Sequence, residues 1–208
     1  TLITVALMFN NTMFGKAGYL TLTLPVKMNS LLASKTLSGL IWIFSIYALL
    51  IGSLVLWFYQ IKTILGDQMT NALDDLLKIF GVPSVRTITI GVIITCILFA
   101  AIILLLVQSM YLSLTLSQIK PISSFGKFGT IVLFFVIMGG LLSVSGTVSD
   151  MLPINIVVSE TAILFTSDST VVDGTMNFRL TGAIFNIIAS VILQFPMAFL
   201  INKKINLK

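Results

Sequence analysis

Two Gly-Lys pairs, Gly15-Lys16 and Gly126-Lys127, are the residues whose chemistry would matter most if either closed a phosphate-binding loop. A loop of the GxxxxGK[ST] type needs another glycine five positions upstream, so that backbone amides can wrap the phosphates. Asn10 and Pro121 stand at those positions. The chain therefore has no such loop, and any work it performs draws energy from a partner. Serines come next. Ser109, Ser113 and Ser117 recur every fourth residue, and Ser143 follows Gly139 at the same interval. A serine nucleophile needs a base, and the chain contains no histidine. A serine–lysine pair would need a lysine at membrane depth, and the apolar stretches described below hold none. Cys96 is the sole cysteine. No disulfide forms within the chain, and neither Cys–His catalysis nor histidine or multi-cysteine metal ligation is open to it. Cys96 itself reads as a small buried apolar side chain. The sequence offers no catalytic residue and no metal ligand set.

The elements that must position the remaining candidates follow from composition. Hydrophobic residues make up 57% of the 208 and charged residues 9%, against about 25% charged in a soluble domain. Mean hydropathy is +1.11. Such a chain uses lipid as its solvent, and its backbone must be satisfied by helices or a closed barrel. Barrel strands alternate over about ten residues; the apolar runs here are continuous and longer, so helices are expected. The reading is an all-α membrane protein, a polytopic helical bundle forming one domain over 1–208. Complete spans are expected at about 36–60, 87–108, 128–149 and 180–201, each long enough to cross the hydrocarbon. Residues 1–14 are apolar but too short to cross alone. They read as the end of a truncated span, because Thr1 opens inside an apolar stretch without the basic flank of a signal peptide. Pro196 should kink the last span, which membrane helices tolerate.

Charge assigns the sides. Lys16, Lys27, Lys35, Lys120, Lys127, Lys203, Lys204 and Lys208 fall in alternate connecting segments that hold no acid. All seven acids, with Lys62, Lys78, Arg86 and Arg179, fall in the others. The lysine-rich side marks the cytoplasm. The net charge of +5 is explained by this bias, and no nucleic-acid partner is read from it. Between 108 and 119 the sequence turns more polar, so the helix should project into the cytoplasm before Pro121, with the serine stripe as a close-packing face. The outer segment 62–86 contains an amphipathic pattern, Met69, Leu73, Leu76, Leu77 and Phe80, between Gly66 and Gly81. It reads as an interfacial cap or as a gate over an exit path. The apolar stretch 151–165 holds Pro153 and Glu160; a re-entrant or interfacial outer segment is preferred over a fifth span. Gly139 and Ser143 form a small-xxx-small pair that packs helices within the chain or across two copies. Phe44 and Tyr47, with Trp42 nearby, present aromatic rings to cargo, to lipid or to another helix.

The cytoplasmic loop 14–35 is short, weakly basic and apolar. From physics alone it docks on the lipid interface or on another protein. Its residues Gly18-Tyr19-Leu20-Thr21-Leu22-Thr23-Leu24-Pro25-Val26, then Leu31-Leu32 and Ser34-Lys35 opening a span, resemble the loop between the second and third helices of ABC-2 type transporter permeases of Gram-positive bacteria. The order of spans, the amphipathic outer segment and the apolar segment before the last helix are also similar. Peptide, lantibiotic and phenol-soluble-modulin exporters are the members nearest in kind. The resemblance implies six helices in the full chain and residence in the bacterial plasma membrane. It implies a homo- or heterodimer with a second permease copy, and cytoplasmic ABC ATPase subunits that bind the ATP and Mg; no cofactor sits in this chain. It makes 14–24 a coupling helix, with Phe14, Lys16, Tyr19, Leu20, Leu22 and Leu24 as its contact residues. Trp42, Phe44 and Tyr47 become substrate-cavity residues, and Gly139 and Ser143 dimer-packing residues. The expected function is ATP-driven export of a hydrophobic or amphipathic substrate, a peptide by preference, through alternating access. The alternatives are a non-transporting scaffold or sensor subunit, or an ATP-independent secondary transporter; the absence of ionisable residues within the spans weakens the latter.

Overall fold

A computed structural model describes residues 2–15, 18, 26–65, 85–119, 124, 126–159, 162–167 and 175–204. In chain order the elements are α1 (Leu2–Met13), α2 (Met28–Leu65), α3 (Val85–Ser117), α4 (Gly126–Met151), β1 (Asn155–Val158), β2 (Ile163–Thr166), β3 (Met176–Arg179) and α5 (Thr181–Lys204). Four helices contain stretches long and apolar enough to cross a membrane: Met28–Ser53, Ile90–Ser117, Phe128–Met151 and Thr181–Asn202. The chain is a multi-pass helical membrane protein. In lipid an unpaired backbone amide costs several kcal/mol, so each uncharged run closes its own hydrogen bonds as a helix. α1, the shorter apolar helix, reaches only about 18 Å at 1.5 Å per residue.

Boundaries differ from the sequence reading where packing decides them. α2 begins at Met28 rather than near 36. Its opening turn is closed by Ser30 and Leu31 amides donating to the Lys27 carbonyl at 3.0 and 3.2 Å. Leu31 and Leu32 then hold that turn by entering the core. The residues assigned to the end of the cytoplasmic loop are therefore the start of the helix. α3 runs unbroken to Ser117. Gly126 opens α4 with φ at +57°, a left-handed conformation that glycine adopts without strain. α5 continues through Pro196, which sits on its exposed side, as far as Lys204.

β1, β2 and β3 form a three-stranded antiparallel sheet in the order β2-β1-β3. Asn155 pairs with Thr166 and Arg179, and Val158 with Ile163 and Met176. This overturns the reading of 151–165 as a fifth helical span. Its β-branched residues pair with neighbouring strands, which satisfies the backbone without a helix. The membrane part alone is all-α. The sheet is tied to the bundle by several bonds. The Leu180 amide donates to the Ile154 carbonyl at 2.8 Å. Thr181 Oγ1 accepts from the Ile154 amide at 3.0 Å and donates to the Leu152 carbonyl. β3 also rests on α3 at Gly91, where a Cβ would lie 2.7 Å from Met176 Sδ and 3.2 Å from Phe178 Cζ.

The main core joins α1, α2, α3 and α5 through Val5, Phe9, Met13, Leu32, Ile43, Val107, Tyr111, Met197 and Ile201. A smaller cluster, Leu105, Met138 and Ala189, joins α3 to α4 and α5. α4 is peripheral: 6% of its apolar stretch is buried, against 33% for α5. The rest of its surface is left for lipid or a partner. Cys96 is exposed on α3 rather than buried, because lipid, unlike water, lets an apolar side chain face outward.

Candidate functional site

The lysine-rich ends of the helices carry the features that could serve a function. α1 ends where the Phe14 and Gly15 amides both donate to the Asn10 carbonyl, at 2.8 and 3.1 Å. Phe14 turns inward. It meets the Phe9 ring edge-on at 5.9 Å and packs on the main core. The buried Gly18 amide donates to the Gly15 carbonyl at 2.8 Å. Lys16, Tyr19, Leu20, Leu22 and Leu24, the other expected coupling residues, lie outside the described residues, as does the amphipathic pattern between Gly66 and Gly81.

The helices that flank 16–25 in the sequence are firmly packed near it. Phe9 stacks on Tyr111 with ring centroids 3.9 Å apart and planes at 11°. The Tyr111 hydroxyl donates to the Lys35 carbonyl at 3.3 Å. One turn away on α3, Gln108 is fully buried, and its Nε2 donates to Thr36 Oγ1 at 3.1 Å. Gln108 Oε1 has no partner among the described residues, an uncommon state for a buried acceptor. At Gly39 a Cβ would lie 2.7 Å from the Tyr111 hydroxyl and 3.0 Å from Val5 Cγ1, so glycine lets α2 approach both α1 and α3. Beside this contact lies a cleft of about 40 Å³ lined by Val5, Met8, Phe9, Thr12, Lys35, Ser38, Gly39 and Tyr111.

A larger groove of about 730 Å³ opens between α1, α3 and α4. Leu2, Ile3, Leu7, Leu106, Met110, Leu114, Ile131 and Phe134 make it apolar, and Asn10, Ser113, Ser117, Gln118 and Thr130 add polar groups. Its volume falls in the range of small-molecule sites, about 300–1,000 Å³. The groove depends on helix spacing, which the sequence does not give. The serine stripe was the one clue. Ser109 packs on Met138 Sδ of α4 at 3.4 Å, while Ser113 and Ser117 face the groove.

Trp42, Phe44 and Tyr47 line neither cavity. They are 47%, 42% and 39% exposed on α2, and Tyr47 meets Phe99 of α3 edge-on at 5.7 Å. Gly139 and Ser143 share an open side of α4. The Ser143 hydroxyl donates to the Gly139 carbonyl at 2.9 Å. A Cβ at Gly139, Gly140 or Gly146 would meet nothing within 4 Å. At the other end of the bundle, Arg179 pairs with Asp150 at 2.8 Å, both exposed. Among the described residues no three or more Cys, Asp or Glu side chains gather into a cluster that could hold a metal. No family model, no curated protein and no solved structure matches the chain.

Proposed function

We infer that the chain is the membrane-spanning permease subunit of an ATP-driven exporter of the ABC-2 type in a bacterial plasma membrane. It pairs with a second permease copy and with cytoplasmic ATPase subunits that bind ATP and Mg. It moves a hydrophobic or amphipathic substrate, a peptide by preference, outward by alternating access. The observation that carries this reading is the apolar segment Gly18–Val26 at the lysine-rich end of the bundle, without any nucleotide loop in the chain itself. The surrounding packing supports it. The two helices flanking the segment, α1 and α2, are both locked onto α3 through Phe9, Tyr111 and Gly39. A force applied to the segment would therefore reach the helices that wall the groove. The apolar groove, with polar groups at one end, suits amphipathic cargo, and the open side of α4 suits a second copy.

The test is reconstitution of the purified complex in vesicles. ATP-dependent substrate movement and a co-purifying ATPase are expected. Tyr19→Asp and Leu22→Asp should each abolish both while leaving the melting temperature of the subunit unchanged. Persistence of transport and ATPase association in both variants would overturn the coupling role of 14–24. A complex that recruits partners but moves nothing would identify a scaffold or sensor subunit instead.

A further inference from the structure

Lys35 is a cation without a counter-charge among the described residues. It lies two turns inside α2, in a stretch apolar enough to cross a membrane. A lysine at that depth is costly unless it reaches the interface or meets an anion. Among the described residues no carboxylate pairs with Lys35, and in the sequence no acid precedes Asp67 and none lies in 120–127 or 203–208. Among the described residues the ion pair is Arg179–Asp150, between the end of α4 and β3. The surroundings of Lys35 are also specific. Lys35 lines the cleft between α1, α2 and α3, where Val5 and Met8 supply an apolar wall. Thr12 donates its hydroxyl to the Met8 carbonyl at 2.7 Å, and Tyr111 donates to the Lys35 carbonyl, so neither has a free proton to offer. Ser38, one turn from Lys35, makes no hydrogen bond among the described residues and lines the same cleft. The donors left over are the ammonium of Lys35 and the hydroxyl of Ser38.

We propose that this cleft binds the phosphate headgroup of an anionic phospholipid from the inner leaflet, held by Lys35 and Ser38, with the start of an acyl chain against Val5 and Met8. Charge complementarity selects this occupant. Basic pockets between membrane helices on the cytoplasmic side take anionic lipid headgroups, and the membrane delivers phosphate and apolar chain together at this depth. The inference requires that the chain spans a membrane with its lysine-rich end inside; it stands whether or not the subunit exports anything.

Native mass spectrometry of the detergent-purified protein, mixed with either phosphatidylglycerol or phosphatidylcholine, tests it. The wild type should retain phosphatidylglycerol in preference to phosphatidylcholine. Lys35→Ala should lower that retention about fivefold, the factor one lysine supplies at an anionic surface. Lys35→Arg should restore it, and Lys27→Ala, at the helix start and outside the cleft, should not lower it. An excess of inorganic phosphate should leave the lipid bound, because phosphate lacks the acyl chain; displacement would mean that the apolar wall contributes nothing and would overturn the lipid assignment. A melting curve for Lys35→Ala matching the wild type excludes misfolding as the cause. Equal retention by Lys35→Ala and wild type, equal retention of both lipids by the wild type, or loss of a bound protein instead of lipid in Lys35→Ala would each overturn the proposal.

Discussion

Gln108 and Thr36 show how far the value of a buried hydrogen bond depends on which partner is removed. Thr36 Oγ1 already donates to the Leu32 carbonyl at 2.9 Å, so losing the Gln108 amide leaves it satisfied. Gln108→Leu also removes the unpaired Oε1. Its melting temperature in detergent should equal or exceed that of the wild type. Thr36→Val does the reverse and strands the Gln108 amide as well as its oxygen, and should cost about 1–3 kcal/mol. Gly39 gives the steric counterpart. A methyl there would meet the Tyr111 hydroxyl at 2.7 Å, so Gly39→Ala should lose about 1–3 kcal/mol through overpacking. Thermal unfolding of the three variants side by side checks both. None of this was legible in the sequence. Gln108 and Gly39 look unremarkable within their apolar runs, and their importance comes from residues seventy or so positions away.

Spans were the most legible elements, because in lipid twenty uncharged residues in a row leave the backbone little choice. The sheet was the least legible. Its strands are four residues each, and the apolar stretch 151–165 has the composition of a short helix as much as of a hairpin. The start of α2 was hidden for another reason, since only burial of Leu31 and Leu32 shows that the helix begins ahead of the uncharged run. The sheet is anchored mainly through backbone bonds to Ile154 and Leu180 and through its seat on Gly91. Its exposed Asp150–Arg179 pair should therefore matter little: Asp150→Asn is expected to cost under about 1 kcal/mol, measured by thermal unfolding at low salt. On α4 the expectation separates two roles. Gly139→Ala meets no neighbour and should leave subunit unfolding unchanged. Any loss should fall on association between copies, read by cross-linking or light scattering in detergent.

Across the whole molecule, the layering that the charge map implied agrees with the contacts. The end of α1, the start of α2 and the ends of α3 and α5 share one core, while Asp150 and Arg179 meet at the opposite end. Which end faces the cytoplasm is a prediction. On a Cys96→Ser background, cysteines placed at the exposed Val26 and Ser167 should react with a charged maleimide from opposite sides, Val26→Cys only from within. Native Cys96 lies about 17 Å along α3 from Val85 and is exposed. It should resist the charged reagent from both sides and react with a lipid-soluble one. One dimension of the bundle then acquires a mechanical meaning. α2 is 38 residues long, about 57 Å, nearly twice the ~30 Å of hydrocarbon it must cross. Gripped near Gly39 and touched again by Phe99 at Tyr47, but exposed at Trp57, Tyr59 and Ile64, it has the proportions of a lever with a short arm and a long one. A few degrees of rocking at the gripped end sweep the far tip near Ile64 through several ångströms, with no hydrogen bond in the helix broken.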